Sequence, residues 1–340
     1  MIKLIKKMIN IVLLFILVML VITGCGGGGN SGGARKEIVF ANAGWESNMF
    51  HNAVAGLIGE QVFGYTWTEV PGTTAVMHEG LLAGEVDVHM ECWTDNIPPY
   101  KSDLEAGKFQ ELSINFDDNY QGIYVPRYVI EGDAERGIEA SAPDLKYVWD
   151  LKDYPELFPD DEEPGKGRMY GAIPGWEIDE IMHNKYLHYG LDETFIYFRP
   201  GSDPALQTAI ISAYEKGEPV AAYYWEPTWL LGTLDMVLLE DEPFAEDLYF
   251  DGKCEAPAVT VTVGVSNKFA DDENNADFVE FLRNYTTSSA LTSEGLAFMQ
   301  ETGTEDYEEA AKWFLAEHDE LLDTWLSPDD AKTMKSFLGK

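Results

Sequence analysis

The chain has little that would cross-link it and little positive charge. Three cysteines in 340 residues are too few for the disulfide framework of a small secreted scaffold. Lysine and arginine number 23 against 60 aspartates and glutamates, a formal net charge of −37. Such a surface repels phosphate backbones and argues against a nucleic-acid partner. Histidine is scarce too. His51, His78, His89, His183, His188 and His318 are scattered, and neither His-Glu-x-x-His nor a Cys/His metal spacing occurs, so no metal centre is expected. Carboxylates are so numerous that an acid/base pair carries no signal. Nor is there an apolar run long enough to cross a bilayer comfortably: the stretch Ile9 to Ile22 is short and holds Asn10. What is present is material for real cores, 45% hydrophobic and 13% aromatic residues, which excludes a mainly disordered chain. The length suits about two domains.

The N-terminus reads as an address. Lys3, Lys6 and Lys7 precede the apolar run, and Thr23-Gly24-Cys25 follows it, the layout of a signal peptide over residues 1–24. The quartet Ile22-Thr23-Gly24-Cys25 resembles a bacterial lipobox, in which Cys25 is lipidated and becomes the mature N-terminus. Residues 25–35, with glycines from Gly26 to Gly33, then serve as a flexible tether. Stable anchoring needs two or more acyl chains. Cleavage removes three lysines and no acid, so −37 becomes −40, and the domain is expected outside the cytoplasm. Cys92 and Cys254 are then a candidate disulfide in an oxidising compartment, the alternative being two buried thiols.

One unit occurs twice. Phe40-Ala41-Asn42-Ala43-Gly44-Trp45-Glu46 is echoed by Tyr170-Gly171-Ala172-Ile173-Pro174-Gly175-Trp176-Glu177-Ile178. Each strand-like run ends in Gly-Trp-Glu and opens a helical stretch. Pro71-Gly72-Thr73 and Pro200-Gly201-Ser202 come next, each before a second helix. Gly84-Glu85 and Gly217-Glu218 then lead into strands ending at Trp93 and Trp225. Strands alternating with helices imply a mostly parallel sheet in each half, and ligands sit outside the carboxyl ends of such strands. Trp45, Trp93, Trp176 and Trp225 all fall there. Two α/β lobes facing across a cleft would bring them together. The lobes are expected over 36–122, 123–240 and 241–340, with the last part rejoining the first lobe. Asn119 to Val129 reads as the crossing strand and Thr260 to Val265 as the return. The stripe Ala311, Phe314, Leu315, His318, Leu321, Leu322 and Trp325 is expected to pack on the first lobe. Trp67, Trp149, Trp313 and Trp325 read as core, and Trp229 is open.

Four tryptophans at a cleft suit one class of ligand. A quaternary ammonium donates no hydrogen bond, whereas each aromatic face offers about 0.5–2 kcal/mol of cation–π attraction. Three or four rings approach the ~8 kcal/mol of micromolar affinity before ordering costs. Glu46, Glu91, Glu177 and Glu226 adjoin the tryptophans and add field strength or merely open helices; the sequence selects none of them. For a zwitterion, the free main-chain amides of the Trp176-Glu177-Ile178 turn suit a carboxylate.

Gly167-Arg168-Met169-Tyr170 through Pro174-Gly175-Trp176, Tyr223-Tyr224-Trp225-Glu226-Pro227-Thr228-Trp229, Glu91-Cys92-Trp93-Thr94-Asp95-Asn96 and Tyr307 to Trp325 resemble the glycine betaine substrate-binding proteins of ABC importers, over nearly all of the mature chain. The resemblance implies a two-lobed, type II periplasmic-binding-protein-like α/β fold that closes on its ligand and docks on a membrane permease. In betaine-binding members three tryptophans form the cage, and by motif they match Trp93, Trp176 and Trp225. Gly44-Trp45 matches a tryptophan that choline-binding relatives use. Two positions depart from the pattern. Ile97 stands where some betaine binders carry a carboxylate-holding histidine, and Ser47 stands where choline binders carry an acid. Trp176 tips the balance to glycine betaine or a similar zwitterion, with choline, carnitine and trimethylamine N-oxide as alternatives. A lipoprotein presenting its ligand to a sensor is the rival to an importer subunit, and a surface hydrolase is the less favoured class. No catalytic residue and no cofactor is expected, and the protein should act as a monomer.

Overall fold

A computed structural model describes residues 36–340. The signal segment, Cys25 and the glycine tether lie outside the described residues. In the first lobe, β1 (Glu37–Asn42) leads through α1 (Glu46–Phe63) to β2 (Thr66–Pro71), then through α2 (Thr74–Ala83) to β3 (Val88–Trp93). The second lobe repeats this with β6 (Gly167–Tyr170), α3 (Glu177–His188), β7 (Phe195–Phe198), α4 (Asp203–Lys216) and β8 (Ala221–Trp225). Even the punctuation matches. The Thr73 and Ser202 hydroxyls accept from the third residue on and cap α2 and α4, and Gly84 and Gly217 end those helices at φ 68° and 72°, a backbone state that favours glycine.

With β4 (Phe109–Phe116), β5 (Gln121–Pro126), β9 (Met236–Leu238) and β10 (Val261–Ser266), two mixed sheets result, ordered β2-β1-β3-β10-β4 and β7-β6-β8-β5-β9. The repeat strands pair in parallel. Each sheet is completed by an antiparallel strand that the chain enters from the other lobe. After β4 the chain crosses to β5, which pairs with β8 and with β9. It returns at β10, between β3 and β4. The two crossings are tied together by buried Asn119, whose Nδ2 donates to the Val259 carbonyl at 2.6 Å while its Oδ1 accepts from the Val259 amide at 3.0 Å.

The second lobe holds the chain longer than expected. Residues 241–259 wrap that lobe rather than joining the first. The Lys185 ammonium reaches Asp241 and the Cys254 carbonyl, and Asn184 donates to the Phe250 carbonyl at 3.0 Å. Gly252, at φ 69°, lies so close to α3 that a Cβ would sit 2.2 Å from the Lys185 amide nitrogen. The return to the first lobe therefore comes at 260, not 241.

The cysteine pair is also corrected. Cys92 and Cys254 are free, buried thiols. Cys92 belongs to β3 in the first sheet, its Sγ 2.8 Å from where Gly264 would carry a Cβ. Cys254 sits in the wrap on the second lobe, where its Sγ exchanges hydrogen bonds with the Ala245 backbone. Each side chain is packed into its own lobe.

The C-terminal helices α5 (Ala276–Asn284), α6 (Ser289–Thr302), α7 (Tyr307–Glu317), α8 (Glu320–Trp325) and α9 (Pro328–Leu338) build a core with α1 in the first lobe. Phe50, Phe281, Phe314 and Trp325 are buried there. Trp325 packs on Tyr285 at 4.6 Å between centroids, Trp313 stacks on Phe298, and Trp67 meets the edge of Phe40. Trp149 stacks on Tyr147.

Candidate functional site

Two turns of matching shape face each other. Beyond β1, Gly44 at φ 88° lets the chain swing so that Trp45 starts α1; beyond β6, Gly175 at φ 98° does the same for Trp176 and α3. Such angles are open to glycine and strained for other residues. Trp93 and Trp225 are the last residues of β3 and β8, so strand direction alone places them at the same mouth.

All four rings are buried and border one cavity. The space they enclose is narrow in this closed arrangement, about 30 Å³, and with its solvent-open mouth about 350 Å³ is unfilled. Trp176 meets Trp45 edge to face at 5.4 Å and Trp225 edge to face at 5.0 Å. Trp93 lines the same space and packs on Phe116. Glu177 and Ile178, in the first turn of α3, also border it. The structure thus brings together all six residues expected from sequence.

The lobes touch around this cavity. Trp176 Nε1 donates across the cleft to the Ala43 carbonyl at 3.0 Å, and the Thr74 amide donates to the Gly175 carbonyl at 3.0 Å. Asn96 of the first lobe accepts from Tyr249 of the wrap at 2.6 Å. These bonds describe a closed arrangement.

Of the four glutamates beside the tryptophans, Glu91 alone lies directly behind the cavity wall. It is wholly buried on β3. Its Oε2 accepts from Trp45 Nε1 at 2.6 Å, Ser47 Oγ at 3.2 Å and Trp93 Nε1 at 3.2 Å. Burial raises its pKa to about 7, although these three bonds hold it down. Its Oε1 has no hydrogen-bond partner and lies 3.6 Å from His51 Nε2. Burial pushes His51 down to about 3, so that histidine is neutral, bonded to the Tyr285 hydroxyl at 2.7 Å.

The other acids differ. Glu177 is half-buried and raised by burial and by Glu180. Glu226 is raised by burial and by Asp118. Glu46 turns from the cavity toward the start of α4. There Asp203 is lifted to about 8, by burial first and then by the Glu46 charge, with Gln207 and the Glu46 amide opposing. Glu46 itself is raised by burial, and Gln207 and Trp229 oppose it. Trp229, open in the sequence, lies near Glu46 and does not border the cavity.

Thr74, Asn96 and Tyr223 border the cavity without having been expected there. Two of the missed groups carried a signal. Glu91 and Tyr223 each stand two residues before a strand-end tryptophan, and residues two apart on a strand share a face. Thr74 and Asn96 depend on how the lobes meet, which no local pattern encodes.

Residues 36–317 match the family described as the substrate-binding domain of ABC-type glycine betaine transport systems. Among solved structures, the chain is similar to the glycine/betaine/L-proline-binding protein ProX from Borrelia burgdorferi, at 19% identity and TM-score 0.69 over 88% of this chain and 100% of that one. It is similar to an ABC-transporter choline binding protein in complex with choline, at 18% identity and TM-score 0.68 over 89% and 98%. It is also similar to lactococcal OpuAC in its closed-liganded conformation with glycine betaine, at 16% identity and TM-score 0.66 over 86% and 100%. No curated protein matches it in sequence. At these identities the solved structures establish the fold, two-lobed and type II periplasmic-binding-protein-like.

Proposed function

The chain belongs to the substrate-binding domain family of ABC-type glycine betaine transport systems, and from that premise we propose that it captures glycine betaine or a closely related quaternary ammonium solute in a tryptophan cage. The family consists of extracytoplasmic solute-binding proteins that work with a membrane permease, not of enzymes. The observation that carries the reading is the convergence of four buried tryptophans, two from each lobe, on one cavity.

Ring faces stabilise a methylated cation that has no proton to share, and it loses less hydration on entering than a primary ammonium does. Glu177 and Ile178 border the same cavity, and as first-turn residues of α3 they offer a carboxylate amide donors and a favourable helix dipole. A zwitterion with its cation among the rings and its carboxylate on these amides uses both features. Closure excludes water, which strengthens each of these interactions. Relatives of this fold are described both closed with glycine betaine and semi-closed without ligand, which supports capture by closing. A lipid on Cys25 would hold the protein beside its permease; intact mass of the mature protein tests this, and an unmodified Cys25 overturns it.

Titration calorimetry with glycine betaine, proline betaine, carnitine, choline and trimethylamine N-oxide tests the main reading. Micromolar binding of at least one is expected, and no binding below about a millimolar dissociation constant overturns it. Choline is the second reading, favoured by one observation: the Trp45 ring in the cavity wall is held to a buried acid.

A further inference from the structure

Glu91 is a buried carboxyl without a cationic partner. Among the described residues no lysine or arginine pairs with it; its one ionic neighbour is His51, which is neutral. An isolated buried carboxylate is costly unless something positive completes it. What does meet Glu91 is the back of the cavity wall. One oxygen gathers the N–H edges of two indoles whose rings line the cavity, and the other has no hydrogen-bond partner.

We propose that the missing counter-charge is the ligand's cation, and that Glu91, a positioning residue acting through Trp45 and Trp93, tilts the balance of affinities toward solutes of net positive charge, against the pull of the α3 amides for a zwitterion's carboxylate. The inference rests on the quaternary-ammonium reading of the cavity and adds a ranking within that class. An ionised Glu91 makes each indole a charge-assisted donor, which fixes both rings and leaves a negative potential behind them. A cation such as choline meets only that potential. In glycine betaine the same attraction is offset by repulsion of its carboxylate.

The groups around Glu91 leave its titration readable. His51 on α1 and His89 on β3 are both pushed down to about 3 by burial. Cys92 on β3 and Tyr285 beyond α5 are both raised by burial. All four stay uncharged from pH 5 to 9, a window that brackets the Glu91 value of about 7. Asp203 and Glu46 titrate at the lobe contact and bear on closure, which both ligands need, so the ratio of two affinities cancels them. Glu177 borders the cavity with its own raised pKa and needs a control.

The experiment is calorimetry of choline and glycine betaine at pH 5.5 and 8.5 on the wild-type protein, Glu91→Gln and Glu177→Gln. In Glu91→Gln the side-chain amide retains an oxygen that can accept from the indoles but carries no charge. In the wild type the ratio of choline to betaine affinity should rise about tenfold between the two pH values. Glu91→Gln should flatten that rise and weaken choline by about tenfold, with betaine within about threefold. Glu177→Gln should keep the rise. A wild-type ratio that is constant with pH, or one whose rise survives Glu91→Gln, overturns the inference while leaving the cage standing. Binding of neither solute, nor of any other quaternary ammonium, overturns the cage reading and the inference with it. If Glu91→Gln fails to fold, the wild-type protein still decides. Choline binding at pH 7, measured in two buffers of different ionisation enthalpy, should release up to about half a proton from Glu91 that betaine binding does not, and equal release overturns the proposal.

Discussion

The two Gly-Trp-Glu turns differ in where the indole N–H goes. In the first lobe Trp45 donates inward, to Glu91 of its own sheet. In the second, Trp176 donates outward, across the cleft to the Ala43 carbonyl. One tryptophan is therefore part of its lobe whether the cleft is open or shut, and the other completes its bonding only on closure. A duplicated unit has been divided into a fixed wall and a latch. The neighbouring stations follow suit. Glu91 precedes Trp93 where Tyr223 precedes Trp225, and Tyr223 spends its hydroxyl on Gln121 at 3.2 Å. Thr74 opens α2 where Asp203 opens α4.

Removing the latch should have the largest effect. Trp176→Ala loses one ring face and one cross-lobe bond, together about 3 kcal/mol, or about 100-fold in solute affinity by calorimetry. Tight binding that survives it removes the cage. The acid that only the second lobe carries comes next. Because burial, and after it the Glu46 charge, raise Asp203 to about 8, the folded state holds a proton that the unfolded chain releases near 4. Its stabilising contribution is full below pH 4 and is lost as pH climbs toward 8. Urea unfolding between pH 5 and 8 should show that slope, and Asp203→Asn should flatten it; an unchanged slope assigns it elsewhere.

Trp45→Phe and Trp176→Phe sharpen the contrast. The first leaves buried Glu91 without its shortest bond and should lower unfolding free energy by about 2 kcal/mol. The second should leave the stability of the unliganded protein within about 0.5 kcal/mol and affect only ligand affinity. Equal losses in urea unfolding would erase the distinction. The smallest effects come from the glycines. Gly44→Ala and Gly175→Ala both force a positive φ on alanine, at about 1 kcal/mol each. Only at Gly175 would the new Cβ also press on Thr73 of the other lobe, 2.7 Å from Cγ2. Gly175→Ala should therefore weaken solute binding by several-fold beyond Gly44→Ala.

The parts of the fold written as local pattern were legible. Gly-Trp-Glu, the hydroxyl caps and the glycine stops each act within a few residues, so their repetition exposes the repeated unit, and strand direction then carries Trp45, Trp93, Trp176 and Trp225 to one cleft. What depends on tertiary placement was not. Strand alternation put Glu91 on the face of Trp93, but β3 is buried on both faces, so nothing local showed that this face also meets Trp45 of the preceding turn. Glu46 and Asp203 lie in different lobes and meet only because the cleft is shut. The wrap of 241–259 carries no regular pattern, and its attachment rests on Lys185 and Gly252, whose partners are remote in sequence. Cys92 and Cys254 looked pairable because the address implies an oxidising compartment, and nothing local showed that Cys254 belongs to the wrap on the second lobe.

The Asn119 tie between the two crossings bears on mechanics. Its amide imitates a backbone and clips the outgoing chain to the returning one at Val259, so neither connection can slide along the other without breaking both bonds. Sliding of one lobe over its partner is thereby suppressed, and the swing about a single axis is left as the soft coordinate. Such a receptor adapts to a bulkier solute by stopping at a wider angle, and the gap it leaves is greatest at the rim farthest from Asn119. Small-angle scattering across a series of solutes of increasing length should then report one graded parameter, and Asn119→Ala should add a second.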